Sequence, residues 1–121
     1  MPPIVLETLL GDAAKHAHVG IYVYDDEGTY VAVNDHAAAL LGTTRDELLR
    51  HDIGDFTRDG IDRRVLLRTE RREGVRLLRR RDGTEVPAAF VVVPTQVSGL
   101  GFFVAIVWEL EPDDPRAAAA T

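Results

Sequence analysis

The chain of 121 residues contains no cysteine. That excludes disulfides, zinc–thiolate sites and any chromophore carried on a thiol. No apolar run approaches the ~18 residues that a membrane-crossing helix needs. The opening stretch, Met1 to Leu10, carries an acid, Glu7, and no base, unlike a secretory signal. Lysine is almost missing: Lys15 is the only one. Acids outnumber bases, 20 to 14, for a net charge of −6, which argues against a body built to bind nucleic acid. These absences lead to the expectation of a cytoplasmic protein with neither nucleic acid nor membrane as partner.

What is present suits one globular domain. Hydrophobic residues make up 45% and charged residues 28%, an ordinary mixture. A chain of this size buries about two thirds of its unfolded surface and needs no staple. The charge is uneven: arginines crowd residues 58 to 81, while acids dominate both ends. Such a patch suits an acidic partner or an anionic ligand; a solvated helix and strand face is the plainer reading.

Along the chain, Pro2-Pro3 precedes Leu6, Leu9, Leu10, Ala13 and Ala17 at helical spacing, which predicts an amphipathic N-terminal helix over residues 1–18. Gly20 to Tyr24 and Thr29 to Val33 read as strands around an acidic turn ending at Gly28. Asn34 caps a short helix from Asp35 to Leu41, and Gly42 ends it. Thr44 and Glu47 have capping-box spacing and start a further helix through Arg50. Ile53 to Phe56 reads as one more turn. A longer helix opens at Asp59 or Asp62, runs to Glu73 and closes at Gly74. Val75 to Arg81, Thr84 to Val93 and Leu100 to Leu110 are strands; Asp82-Gly83 turns the first pair and a loop with Ser98 and Gly99 joins the second. The acids, prolines and alanines of residues 111–121 predict a disordered tail. Strands at both ends with helices between them indicate an α+β domain, residues 19–110, with an antiparallel sheet carrying short helices on one face.

The last two strands do not alternate. Val91 to Val93 and Phe102 to Trp108 are continuous apolar runs, so both faces of that part of the sheet need cover. The central helices supply one face. The other needs the N-terminal helix, a second chain, or both.

The series Gly20-Ile21-Tyr22-Val23-Tyr24, Asp26-Glu27-Gly28, Val31-Ala32-Val33-Asn34, Ala37-Ala38 and Leu41-Gly42 resembles the first half of a PAS domain. Thr44 to Leu49 resembles the capped helix that follows in that family. Arg81-Asp82-Gly83-Thr84-Glu85-Val86-Pro87 resembles the hairpin that begins the family's fourth strand. The resemblance runs from about Val19 to Leu110. It implies a five-stranded antiparallel sheet wrapped around short helices, an internal cavity, and a sensory or interaction role. It also implies pairing through the outer face of the sheet, aided by an N-terminal helix.

Departures from the family narrow the cofactor. Photosensory flavin domains of this kind carry an Asn-Cys-Arg motif; here the region reads Ile53-Gly54-Asp55-Phe56-Thr57-Arg58, and Val107 stands where they place a glutamine. Haem-binding members use a histidine on the long helix, and Ile61 to Glu73 has none. Neither flavin nor haem is expected. The usual Asp-Ile-Thr exit looks like Glu109-Leu110-Glu111, with no output segment after it; the effector is expected in trans or outside this fragment.

Aligned by the resemblance, Ala88, Phe90, Val92, Phe103, Ala105 and Val107 face the cavity. The small residues leave room for an aliphatic or aromatic guest with at most one polar end, such as a fatty acid, unless neighbours fill the space. Arg63, Arg64 or Arg68 of the long helix could hold a carboxylate or simply pair with Asp59 and Asp62. Leu6, Leu9, Leu10, Phe102, Val104, Ile106 and Trp108 are the expected homodimer contacts. His16 and His18 lack a third ligand and make a poor metal pair. Catalysis finds no footing: Asp25 and Asp26 are turn formers, Ser98 has no histidine arrangement, and Gly99 and Gly101 lack a phosphate-loop context. Two functions stand: a sensor that binds a small apolar ligand, and a ligand-free dimerisation module.

Overall fold

The computed structural model describes residues 18–52, 55 and 70–119. Five strands form one antiparallel sheet: β1 (Gly20–Asp25), β2 (Tyr30–Val33), β3 (Arg72–Arg79), β4 (Glu85–Val97) and β5 (Leu100–Glu109). Their spatial order is β2-β1-β5-β4-β3. The first and last strands in sequence therefore meet at the centre, where β1 pairs with β5. Two short helices, α1 (Asp35–Leu40) and α2 (Arg45–Leu48), lie over the β1–β2 side. The α+β class and the sheet are as the sequence predicts. The predicted N-terminal helix, the turn at Ile53 to Phe56 (Asp55 apart) and the long helix with Arg63 and Arg64 lie outside the described residues.

Local chemistry explains the joints. The Asp25 carboxylate accepts from the backbone N–H of Glu27 (2.9 Å) and Thr29 (3.0 Å), shaping the first turn. Asn34 caps α1, accepting from Ala37 N–H at 2.9 Å. Gly42, at φ +68°, closes α1: its N–H bonds to Ala39 C=O and that of Thr43 to Ala38 C=O, which satisfies the last carbonyls. Thr44 Oγ1 caps α2 by accepting from Glu47 N–H at 3.2 Å.

Four expectations need correction. First, Glu73 and Gly74 belong to β3, not to a helix and its stop. The hairpin at Asp82-Gly83 pairs Arg79 with Glu85, and the register continues to Arg72 opposite Val92, so the length of β4 draws β3 out. Second, β4 runs on past Val93 to Val97. Pro94 sits beyond the last β3 pair, where its missing N–H interrupts no ladder on that side. Ser98 (φ +53°) and Gly99 (φ +78°) then make a two-residue turn, the twist that suits a tight hairpin. Third, α2 ends at Leu48 rather than Arg50. The Glu47 carboxylate is drawn instead to His51 Nε2 and Arg81 Nη2, both at 3.3 Å. Fourth, the expected disordered tail carries a one-turn helix, α3 (Pro115–Ala119). Asp114 accepts from Arg116 N–H at 2.9 Å, and proline suits the first helical position.

Candidate ligand-binding site

Register decides which side chains share a face. Ala105 pairs with Val92 and Tyr22, Val107 with Phe90 and Gly20, and Phe103 with Tyr24. With Ala88 these form the inner face, toward the helices. Ala88, Val92, Phe103, Ala105 and Val107 are buried, and Phe90 packs against them. The six residues expected to face inward are thus together. Phe102, Val104, Ile106 and Trp108 take the opposite face and are half-buried. Arg63, Arg64, Leu6, Leu9 and Leu10 lie outside the described residues.

The inner face also holds groups that sequence reasoning passed over. All three tyrosines of the chain, Tyr22, Tyr24 and Tyr30, are buried there. Tyr22 donates its hydroxyl to Ala37 C=O at 2.9 Å, tying β1 to α1. The Tyr22 and Tyr30 rings lie 5.6 Å apart, and Tyr24 stacks on Phe103 at 5.3 Å. Burial pushes all three phenols up; at Tyr24 the neighbouring guanidinium groups of Arg72 and Arg76 oppose it. All three therefore stay neutral near pH 7 and keep a proton to donate. The α1 half of the inner face is filled by these rings.

The other half is different. On β3, Arg72, Gly74, Arg76 and Leu78 fall on the inner side by register, opposite Val92, Phe90, Ala88 and Val86. A side chain at Gly74 would press on the Phe90 ring, 3.2 Å from a Cβ there. Arg72 Nη2 donates to the Tyr24 hydroxyl at 3.0 Å, spanning from β3 to β1 over β4 and β5. The available signal was the alternation Arg72-x-Gly74-x-Arg76-x-Leu78, hidden by reading Arg72 and Glu73 as helix.

This arrangement of a β2-β1-β5-β4-β3 sheet, a capped helix after β2 and an inward-facing cradle meets the family comparison directly. A family model described as PAS domain matches residues 18–109. The chain belongs to the PAS domain family. PAS domains are sensory and signalling modules, and this chain is one of them. Solved PAS structures superpose well. The PAS domain of an HTR-like protein from Haloarcula marismortui is 24% identical with a TM-score of 0.76, over 88% of this chain and 93% of that one. A domain of a sensory box sensor histidine kinase/response regulator from Geobacter sulfurreducens is 25% identical with a TM-score of 0.76, over 88% and 96%. A PAS domain of a LuxR-family transcriptional regulator from Burkholderia thailandensis, in complex with ethanol, is 17% identical with a TM-score of 0.69, over 83% and 96%. No curated protein matches the chain.

Elsewhere on this PAS domain, a hollow of about 340 Å³ between α1 and α2 is lined by Asp35, Ala38, Thr44, Arg45 and their neighbours. It lies on the solvent side of the helices and is rimmed by exposed charges, with Arg45 Nε 3.9 Å from Asp35. His51 bridges Asp55 (3.0 Å) and Glu47 (3.3 Å); those hydrogen bonds, Asp55 first, raise its pKa. The His18 and His36 rings meet edge to face at 6.3 Å. Among the described residues no three metal-ligating side chains converge, and no helix is long and apolar enough to cross a membrane.

Proposed function

We propose that this PAS domain holds a small apolar molecule, fatty-acid-like in shape, against the inner face of its sheet and reports its presence to an effector, without catalysing a reaction. The supporting observation is the placement of Ala88 and Ala105 on one buried face, among Phe90, Val92, Phe103 and Val107. Small side chains between large apolar ones favour a guest with an aliphatic or aromatic body, whose burial contributes about 0.8 kcal/mol per methylene. The Burkholderia relative offers a precedent for a small guest, ethanol, within this fold. Flavin and haem are left out of this reading: the chain has no cysteine, and Val107 faces inward where the photosensory domains use glutamine. The reading takes the domain to act in the cytoplasm, with its effector in trans or outside this fragment.

The test is thermal unfolding of the purified protein with and without a medium-chain carboxylate or alcohol, beside native mass spectrometry. A guest should raise the melting temperature of the wild type. Ala105→Leu or Ala88→Leu should abolish that shift while leaving the unliganded fold intact or firmer. If leucine instead destabilises by the ~1–3 kcal/mol of an overpacked core, and no guest shifts the wild type, the ligand reading fails.

A second reading rests on the outer face. Ile21 and Val23 of β1 adjoin Ile106 and Val104 of β5, which adjoin Val91 and Val93 of β4; Val93 is 39% exposed. We take this surface, with Phe102, Trp108 and the stretch containing Leu6, Leu9 and Leu10, as a homodimer contact. Val104→Glu should turn a wild-type dimer into a folded monomer in analytical ultracentrifugation. A wild type that sediments as a monomer at ~100 μM removes this reading.

A further inference from the structure

Arg72 stands out among the polar groups of the described residues. Its Nη2 donates to Tyr24, but its Nε is buried without a hydrogen-bond partner among the described residues. A buried donor left unmade is costly, more so on a charged group, and such groups are rare in folded proteins. Nearby lies a second uncommitted donor. The Tyr24 hydroxyl accepts from Arg72, yet among the described residues nothing accepts its own proton. Arg76, four residues along β3 on the same side, is close enough for its charge to act on that hydroxyl. Among the described residues no carboxylate pairs with Arg72 or Arg76, although acids elsewhere are engaged, as Glu109 is by Arg80 at 3.5 Å. Two cations and a phenol proton thus stand on an otherwise apolar wall with no counter-anion among the described residues.

We propose that Arg72 Nε–H and the Tyr24 O–H together anchor the carboxylate of an otherwise apolar ligand, with Arg76 adding charge beside them. The inference rests on the small-ligand reading above and sharpens it. It moves the anchor from the long helix, where the sequence suggested Arg63 or Arg64, to the first residue of β3. Two donors suit the two oxygens of one carboxylate, and bonds from a guanidinium to a carboxylate are among the strong ones. Val92 and Phe103, the sheet partners of Arg72 and Tyr24, surround the anchor with apolar surface. The ligand class is therefore a monocarboxylate with an aliphatic or aromatic body, rather than a sugar phosphate or a dicarboxylate.

The experiment is calorimetric titration of the full chain with decanoate, with decanol, and with inorganic phosphate. The wild type should bind decanoate at least tenfold more tightly than decanol, and phosphate weakly or not at all. Arg72→Gln should erase the preference for decanoate while leaving decanol affinity unchanged. Tyr24→Phe keeps the ring stacked on Phe103 and should erase part of the preference. Equal decanoate and decanol affinities in the wild type, or an undiminished preference in a folded Arg72→Gln or Tyr24→Phe, overturn the anchor and leave the small-ligand reading standing. Binding of neither chain molecule overturns both. Tight phosphate binding lost in Arg72→Gln overturns the carboxylate assignment in favour of a free anion. The decanoate-to-decanol comparison in the wild type needs no variant to fold.

Discussion

Replacing Asn34 with alanine should cost about 2–4 kcal/mol of stability, far more than an ordinary helix cap. Asn34 is the one buried polar residue among those described, at 5% exposure, and it serves two elements at once. Its Oδ1 accepts from Ala37 N–H at 2.9 Å and from Ile21 N–H at 3.0 Å, and its Nδ2 donates to Val19 C=O at 2.9 Å. Alanine removes the cap, worth about 1 kcal/mol. It also strands the partly buried N–H of Ile21 in β1 and the C=O of Val19 just before it, each at about 1–3 kcal/mol before water reaches them. Thr44 provides the control. It is exposed and caps α2 alone, so Thr44→Ala should cost only about 1 kcal/mol. Asn34→Asp keeps the acceptor and loses the donor, and should fall between the two. Denaturant titration of the three variants measures the order; equal losses for Asn34→Ala and Thr44→Ala would show that the bonds to β1 carry nothing.

Leu48→Ala should cost about 2–5 kcal/mol, the range for emptying a close-packed leucine site. The helix α2 has four residues, too few to hold itself. It stays because Thr44 caps it and because Leu48, fully buried, anchors it in the core with Tyr30 and Val33. Just beyond it, His51 C=O accepts from Tyr30 N–H at 3.4 Å and Asp52 bridges to Thr29, so loosening the helix should also fray the edge strand β2. Leu49, next in sequence but 37% exposed, should lose less than about 1 kcal/mol on the same truncation. Against a total of about 5–15 kcal/mol for a domain, the first change is severe and the second mild. The denaturation midpoint should fall with an unchanged slope in Leu48→Ala; a midpoint no lower than that of Leu49→Ala would contradict the packing argument.

Much of the frame was legible because it is written in local chemistry. Asn34 before Asp35, Thr44 before Arg45, Gly42 after Leu41 and Asp82-Gly83 between two apolar stretches each have one low-energy local answer, and each holds in the structure. The errors fell where local preference was weak or contradicted. The stretch from Asp59 or Asp62 to Glu73 reads as one helix because charged residues suit a helix and nothing local marks the change to strand at Arg72. The strand read as Thr84 to Val93 continues to Val97 because Pro94 lies beyond the last β3 pair, on the free side of β4. Asp114-Pro115 was a usable start signal for α3 that the alanine-rich composition of the tail concealed.

The sequence by itself determined the order of the five strands and of the two short helices that follow β2, the caps and turns, the α+β class, and the fact that β4 and β5 have two apolar faces. Those same two faces left the parity open: in a continuous run such as Phe102 to Trp108, a shift by one residue exchanges one apolar set for another, so composition cannot choose. Only the tertiary structure decided it, through the register that aligns Ala105 with Tyr22 and Val92. The same holds for the polar centre of the inner face. Tyr24 and Arg72 are 48 residues apart and sit on strands that are not neighbours. Their contact exists because the β3–β4–β5–β1 pairings carry both side chains onto one side of the sheet, a long-range outcome that no local pattern encodes.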